Sequence, residues 1–296
     1  MLLREIINLK DNLKLLKDEE FTSLGLAGAD CNERILSFIE NEKYIESISD
    51  KVVALITTKE LGEKLKDKYG VIVSETPRLD YFILHNKLSN IKSYKREEFK
   101  TKISKTAKVS KLSSISDNNV IIGDNVIIEE FVIIRENTII EDNSIIRAGV
   151  IIGGEGFEYK RDNNKIMNVN HCGGVIIGKN VEVQYNSCID KALYPWDNTI
   201  IGDYSKLDNL VHIEHGVKIG KRCLIASRAT FGGRSILGDD SWVGLGAVIS
   251  NGLILGNKTS ISLGAVVTRS LDENSKVSGN FAIDHSKFID FIKTIR

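Results

Sequence analysis

His215 is the residue whose type and setting could do chemistry. It stands two residues after Ile213 in a strictly repeating six-residue pattern, where a corner of the chain exposes a side chain, and Asp208 and Asn209 stand one repeat earlier. Imidazole, with an ordinary pKa of about 6.5, is suited to take a proton from an attacking amine or hydroxyl at neutral pH. Spacing alone leaves a second reading open, that of a surface histidine at a corner. His212 closes the preceding repeat and reads as structural. Cys31, Cys172, Cys188 and Cys223 are scattered without a CxxC pair. That pattern reads as core fillers in a reducing compartment, with neither a disulfide framework nor a metal site.

The element that must position His215 is the repeat itself. Every sixth residue from Ile201 is apolar: Leu207, Ile213, Ile219, Ile225, Phe231, Leu237, Val243, Ile249, Leu255, Ile261 and Val267. A period of six is neither helical nor a simple alternation, so the unit is a short strand plus a corner, repeated as a solenoid. The residue after each apolar one is usually small or acidic, as at Gly202, Asp208 and Gly220, and the fourth after each apolar one is mostly compact, as at Ser205, Cys223 and Ala229. Three such repeats make a triangular coil, with coils stacked about 4.8 Å apart. The pattern begins at Ile103, slips by one after Ile115 and resumes at Ile122. It vanishes over 153–174, a polar, glycine-flanked insertion expected to leave a corner as a loop while the coil continues beneath it. It lapses again over KALYPWDNT, residues 191–199.

Ahead of the solenoid, Leu3, Ile6, Ile7, Leu9, Leu13 and Leu16 have helical spacing, which predicts an opening amphipathic helix over 2–16. VVALITT (52–58) and VIVSE (71–75) read as buried strands around a helix over 60–70, and Pro77 opens another helix that runs to about Leu88. Residues 1–100 are therefore expected to be a small α/β domain with a charged linker, 101–280 the β-helix, and 281–296 a short terminal helix. Forty basic residues balance forty acidic ones, which gives no footprint for bulk nucleic-acid binding. The first twenty residues lack a signal-peptide apolar core, and no apolar run reaches the ~20 residues of a membrane span. The expected location is the cytoplasm.

The stretch from Gly153 to Gly220, with its GFEY loop, its Cys188-Ile189-Asp190 segment and its DN…I-x-H core from Asp208 to His215, resembles the UDP-3-O-acylglucosamine N-acyltransferases of lipid A biosynthesis. The resemblance reaches the N-terminal region, where Phe38, Asn41, Lys43 and Tyr44 match an F-x-x-N-x-K-Y segment and TPRLDYFILHNKL matches a second helix motif, so it spans nearly the whole chain. It implies a left-handed parallel β-helix of hexapeptide repeats. It further implies that His215 is the general base, Asp208 its supporting carboxylate and Asn209 a neighbour of the acyl donor. Phe38 and Tyr44 would sandwich a uracil ring whose edge Asn41 would hydrogen-bond, a sensible use of two aromatic faces and an amide. On sequence alone those two aromatics read as core residues, and the resemblance reverses that preference. Phe157 and Tyr159 would lie against the sugar or its acyl chain, or pack on the solenoid.

Two departures fall on the donor side: a second histidine of the family corresponds here to Gly252 or Leu253, and the terminal helix is short. The implied activity is acyl transfer from a pantetheine thioester, on acyl carrier protein or coenzyme A, to the amine of a UDP-linked amino sugar by a homotrimer without a bound cofactor or metal. Two alternatives share the sequence features: an acetyl-CoA-dependent N-acetyltransferase of surface-polysaccharide synthesis, and a non-catalytic β-helix that binds a nucleotide sugar or a partner.

Overall fold

The computed structural model describes residues 1–279 and 281–295. Its N-terminal layer is a five-stranded sheet in the order β1 (Lys14–Lys17), β5 (Gly70–Val73), β4 (Val52–Thr57), β3 (Ile35–Ile39), β2 (Ser23–Leu24). All neighbours are parallel except β1, which runs antiparallel to β5. The central strands β3 and β4 are almost wholly buried, as parallel strands covered on both faces must be, and this is why their sequences read as continuous apolar runs. Helix α2 (Lys59–Leu65) is capped by the Thr58 hydroxyl, and α3 (Pro77–Leu88) opens on its proline. The expected helix over 2–16 is not formed. α1 (Leu3–Ile6) gives way to a 3-10 turn at Ile7–Leu9, Asn12 turns the chain at φ 68°, and Leu13 and Leu16 belong to the stretch that forms the edge strand β1. An asparagine that tolerates the left-handed region made the reversal possible, and pairing with β5 outweighed the helical spacing.

From Lys102 to Val277 the chain is a triangular solenoid, a left-handed parallel β-helix of three sheets with nine, eight and eight strands. One coil is eighteen residues: Ile201, Ile219, Leu237 and Leu255 stand in register on one side. The residue at each sixth step points inward and is buried, forming one continuous core from Val120 to Val267. Each corner turns through a left-handed residue, at Tyr204, Leu210, Gly216, Arg222, Arg228, Arg234, Asp240, Gly246, Gly252, Lys258 and Gly264. Such residues cost about 1–2 kcal/mol each when they carry a side chain, and stacking between coils offsets this. Asn125 donates to the Asn143 side chain at 3.2 Å and Asn119 to Asn137 at 3.0 Å. Gly202 answers another constraint, because a Cβ there would lie 2.6 Å from the Gly220 backbone of the next coil.

Two excursions join the solenoid to the N-terminal layer. The insertion over 153–174 does leave the coil, which continues beneath it with Ile140 paired to Ile177, and it folds into an antiparallel hairpin of Tyr159–Asp162 with Lys165–Asn168. Val169, just past this hairpin, and Leu193 and Tyr194 from the second lapse are buried with Leu36, Ile56, Tyr81 and Leu84 in one shared core. The Tyr81 hydroxyl donates to that of Tyr194 at 3.0 Å, and the Trp196 indole donates to the Leu24 carbonyl at 2.8 Å. Within the expected linker, Arg96 donates to the carbonyls of Pro195 and Asp197, so this segment is clamped to the solenoid. The terminal helix α4 (His285–Thr294) forms as expected, capped by Asp284, with Phe288 and Phe291 exposed.

Candidate functional site

His215 follows the strand His212–Ile213, at a corner whose backbone is held by a hydrogen bond from Gly216 N–H to the buried Thr199 hydroxyl at 2.9 Å. The corner does not expose it: the residue is 4% accessible. Gly233, one coil later, covers one edge of the ring, and Gly156 of the insertion covers the other. A Cβ on Gly233 would lie 2.6 Å from His215 Nε2, and one on Gly156 would lie 2.8 Å from Nδ1. Both glycines are what the ring's position demands.

Two charged groups meet His215 at the same atom. Arg234 Nη1 lies 3.2 Å from Nε2, and Glu158 Oε2 lies 3.5 Å from it. Arginine can only donate, so neutral His215 accepts at Nε2 and carries its hydrogen on Nδ1; protonated at Nε2, the ring faces the Glu158 carboxylate. Nδ1 is buried and has no hydrogen-bond partner. Glu158 is also paired with Lys160 and Arg234. Burial alone would raise its pKa, but hydrogen bonds with His215 and Lys160 and the charges of Lys160 and Arg234 hold the carboxyl well below the usual range.

Beyond Gly156 sits the fully buried side chain of His171, its ring 5.3 Å from that of His215 and steeply tilted to it. Neither of its ring nitrogens has a hydrogen-bond partner, although Nδ1 is 3.3 Å from Glu155. Glu155 also pairs with Lys191 at 2.7 Å. Against its burial, these two partners bring the Glu155 carboxyl down to about 2.

Within one chain, Asp208 serves backbone amides, accepting from Asn209 N–H at 2.7 Å and Ser227 N–H at 3.0 Å. It makes no hydrogen bond or ion pair with His215, because the two residues end adjacent sides of the triangle. Asn209 accepts from Tyr185 N–H. The pair that does form on the solenoid surface is His212 Nε2 with Asp190 Oδ2 at 3.2 Å, with Cys188 Sγ 3.6 Å from Asp190 Oδ1. The hydrogen bond to Asp190 holds the His212 imidazole above its usual range. Burial, aided by the charge of Asp190, pushes the Cys188 thiol up to about 12.

Phe38 lies in β3 with its ring tilted against Tyr81 at 4.9 Å and Phe82 at 6.0 Å. Asn41 caps the following 3-10 turn by accepting from Lys43 N–H, and Tyr44 is 50% exposed with the Lys43 ammonium over its ring. The insertion reaches toward this region: Lys160 stands 4.2 Å over the Phe82 ring. Tyr159, Lys160 and Arg161 line an open groove of about 440 Å³ with Glu40, Thr76 and Arg78. Phe157 is 82% exposed and meets Tyr159 edge-on at 4.9 Å. Neither position matching the family's second histidine offers a group for chemistry. Gly252 is a left-handed corner residue, and Leu253 packs against the solenoid core.

Sequence reasoning missed Glu158, Arg234, His171 and the two glycines. The eighteen-residue coil held the signal for Gly233 and Arg234, which stand one coil beyond His215 and its neighbour. Glu158 and His171 come from an insertion without a period, and nothing in its pattern aims them at His215.

Comparison with known proteins agrees with this architecture. The bacterial transferase hexapeptide (six repeats) family matches residues 119–154 and 198–233. A UDP-3-O-acylglucosamine N-acyltransferase of Delftia acidovorans is 32% identical over 139 residues, 47% of this chain and 41% of that protein. UDP-3-O-acylglucosamine N-acyltransferase 2 of Legionella pneumophila (strain Lens) is 43% identical over 91 residues, 31% of this chain and 26% of that protein. The matched segments thus span less than half of these relatives. Among solved structures, the UDP-N-acetylglucosamine acyltransferases of Campylobacter jejuni and Francisella novicida share the fold. They give TM-scores of 0.50 and 0.51 at 20% identity, over 66% and 60% of this chain and 81% and 65% of theirs. Among the described residues no helix is long and apolar enough to cross a membrane. The chain folds as a left-handed parallel β-helix of six-residue repeats and over part of its length is similar to the UDP-3-O-acylglucosamine N-acyltransferases.

Proposed function

We propose that the chain is an N-acyltransferase that moves an acyl group from a pantetheine thioester, on acyl carrier protein or coenzyme A, to the amine of a UDP-linked amino sugar in lipid A synthesis. The observation that carries the reading is the buried His215 with a donor and an acceptor both at Nε2, on a chain whose relatives bear that activity in their names. The amine takes the place of Arg234 at Nε2. As its nitrogen adds to the thioester carbonyl, its proton passes to Nε2, and the new N–H faces Glu158. Backbone N–H groups at a coil corner hold the oxyanion until the C–S bond breaks and the thiol leaves with a proton. The step draws on no metal or redox group.

His215 is almost wholly covered, so the amine reaches Nε2 when the Arg234 side chain swings out, while the Gly156–Tyr159 segment keeps Glu158 in place. Phe157 and Tyr159 ride on that segment and would meet the sugar or its acyl chain. Phe38 and Tyr44 would hold the uracil, with Asn41 at its edge. Asp208 and Asn209, a side of the triangle away, would act across a subunit boundary of a cytoplasmic homotrimer. Apolar residues exposed one coil apart on all three sides of the solenoid support such an assembly: Leu224 with Trp242, Ile236 with Ile254, and Val248 with Val266. The test offers the purified protein UDP-amino sugars with acyl thioesters of two to about fourteen carbons and weighs the products. An amide-linked acyl UDP-sugar is expected, and no mass gain on any amino sugar would reject the reading.

A further inference from the structure

The solenoid carries a second cluster of chemically able side chains that the proposed acyl transfer does not use. Strand residue Cys188 pairs in register with His212 of the next coil, and their neighbours Ile189 and Ile213 point inward and are fully buried. Side chains alternate along a strand, so Cys188, Asp190 and His212 all project from the same outer face. A register irregularity opposite Gly154 sets Asp190 at the strand end, and the Thr199 hydroxyl donates to the Asp190 carbonyl at 2.6 Å, fixing it there.

Their ligand atoms converge. Asp190 Oδ2 is 3.2 Å from His212 Nε2, Asp190 Oδ1 is 3.6 Å from Cys188 Sγ, and one ligand atom from each residue lies within 4.8 Å of the others. A tetrahedral zinc ion with bonds of about 2.0–2.3 Å sets neighbouring ligands about 3.3–3.7 Å apart, and the Asp190 carboxylate already stands at close to that spacing from His212 through Oδ2 and from Cys188 through Oδ1. Asp190 is buried, while the His212 side chain is 41% exposed, leaving a side open to solvent.

We propose that Cys188, Asp190 and His212 bind a divalent cation of the zinc class, with solvent or a ligand group in the fourth position. A thiolate, an imidazole and a carboxylate form the mixed donor set that such ions take in preference to magnesium or calcium. The charges close: the Cys188 thiol loses its proton to solvent as the sulfur–metal bond forms, His212 binds through neutral Nε2, and thiolate and carboxylate together balance the dication. This departs from the expectation of no metal drawn from the sequence, where Cys188 read as a core filler. It does not depend on the acyltransferase reading.

The test titrates metal-free protein with Co²⁺ and then Zn²⁺. The expected result is one Co²⁺ per chain with tetrahedral visible bands and a thiolate-to-cobalt charge-transfer band, all displaced by Zn²⁺. Cys188→Ser should abolish the charge-transfer band, and both Cys188→Ser and His212→Gln should weaken Zn²⁺ binding at least tenfold. Circular dichroism and melting check that both variants fold; His212 is the more exposed of the two and gives the safer substitution. A charge-transfer band of undiminished strength in Cys188→Ser would move the site to another cysteine and overturn the proposal. So would wild-type Zn²⁺ affinity no greater than that of His212→Gln, which would leave the Asp190–His212 pair a tie between coils.

Discussion

Replacing Gly233 by alanine tests whether the position of the His215 ring matters to turnover. The new methyl would lie 2.6 Å from Nε2 and 2.7 Å from Cε1, where unstrained contacts are about 3.5–4.0 Å. The ring must therefore retreat by about 1 Å. It would retreat toward Gly156, whose own backbone closes the far edge. A displacement of about 1 Å at a reacting group costs about a hundredfold in rate, whereas overpacking of this kind costs about 1–3 kcal/mol in stability. The assay compares kcat for acyl transfer with UDP-sugar affinity by calorimetry and with the melting temperature. We expect kcat to fall about a hundredfold, nucleotide affinity to hold and the protein to remain folded. Gly246→Ala is the control: its methyl meets nothing within 4 Å, but φ is +63°, so it should lose about 1–2 kcal/mol of stability and keep its turnover. A Gly233→Ala enzyme within threefold of wild-type kcat would show that the crowded ring is not the acting group.

Further expectations follow from other parts of the molecule. His85 is fully buried between Tyr94 and the Asn170 carbonyl, tying α3 to the linker and the insertion, and burial lowers its pKa to about 4. A depressed histidine stabilises the fold fully above its unfolded value of about 6.5, and the contribution is lost as pH falls from there through 4. Wild type should lose about 2 kcal/mol between pH 7 and pH 5 from this group. Urea titrations at the two pH values should show a smaller loss in His85→Gln, and equal slopes would remove His85 as the cause. Phe38→Ala or Tyr44→Ala should weaken UDP-sugar binding several-fold, at about 1 kcal/mol per ring; unchanged affinity in both would give the N-terminal layer another ligand. Light scattering of active protein should give about three times the 32.9 kDa of one chain, and a monomer mass would refute the trimer.

The six-residue step was legible because the inward position is the one a coil cannot vary, and every residue from Ile201 to Val267 at that step is buried. His215 could be located from the same step, but its burial could not, since Gly156 and Glu158 arrive from an insertion whose path is set by contacts with a different layer. Tyr194 and Trp196 looked like part of a lapse in the repeat. They are apolar anchors, and their partners Tyr81 and Leu24 lie more than a hundred residues away in sequence. At the N-terminus the helical spacing of Leu13 and Leu16 misled because a single left-handed residue, Asn12, releases the chain into a strand whose partner comes some fifty residues later.

Whether His215 takes the proton in an acyl transfer to a UDP-amino sugar is decided by single-turnover kinetics of His215→Ala. Turnover should fall by about a hundredfold or more, with UDP-sugar affinity nearly unchanged and the same product mass at long times. Turnover like that of wild type in this variant would contradict that role.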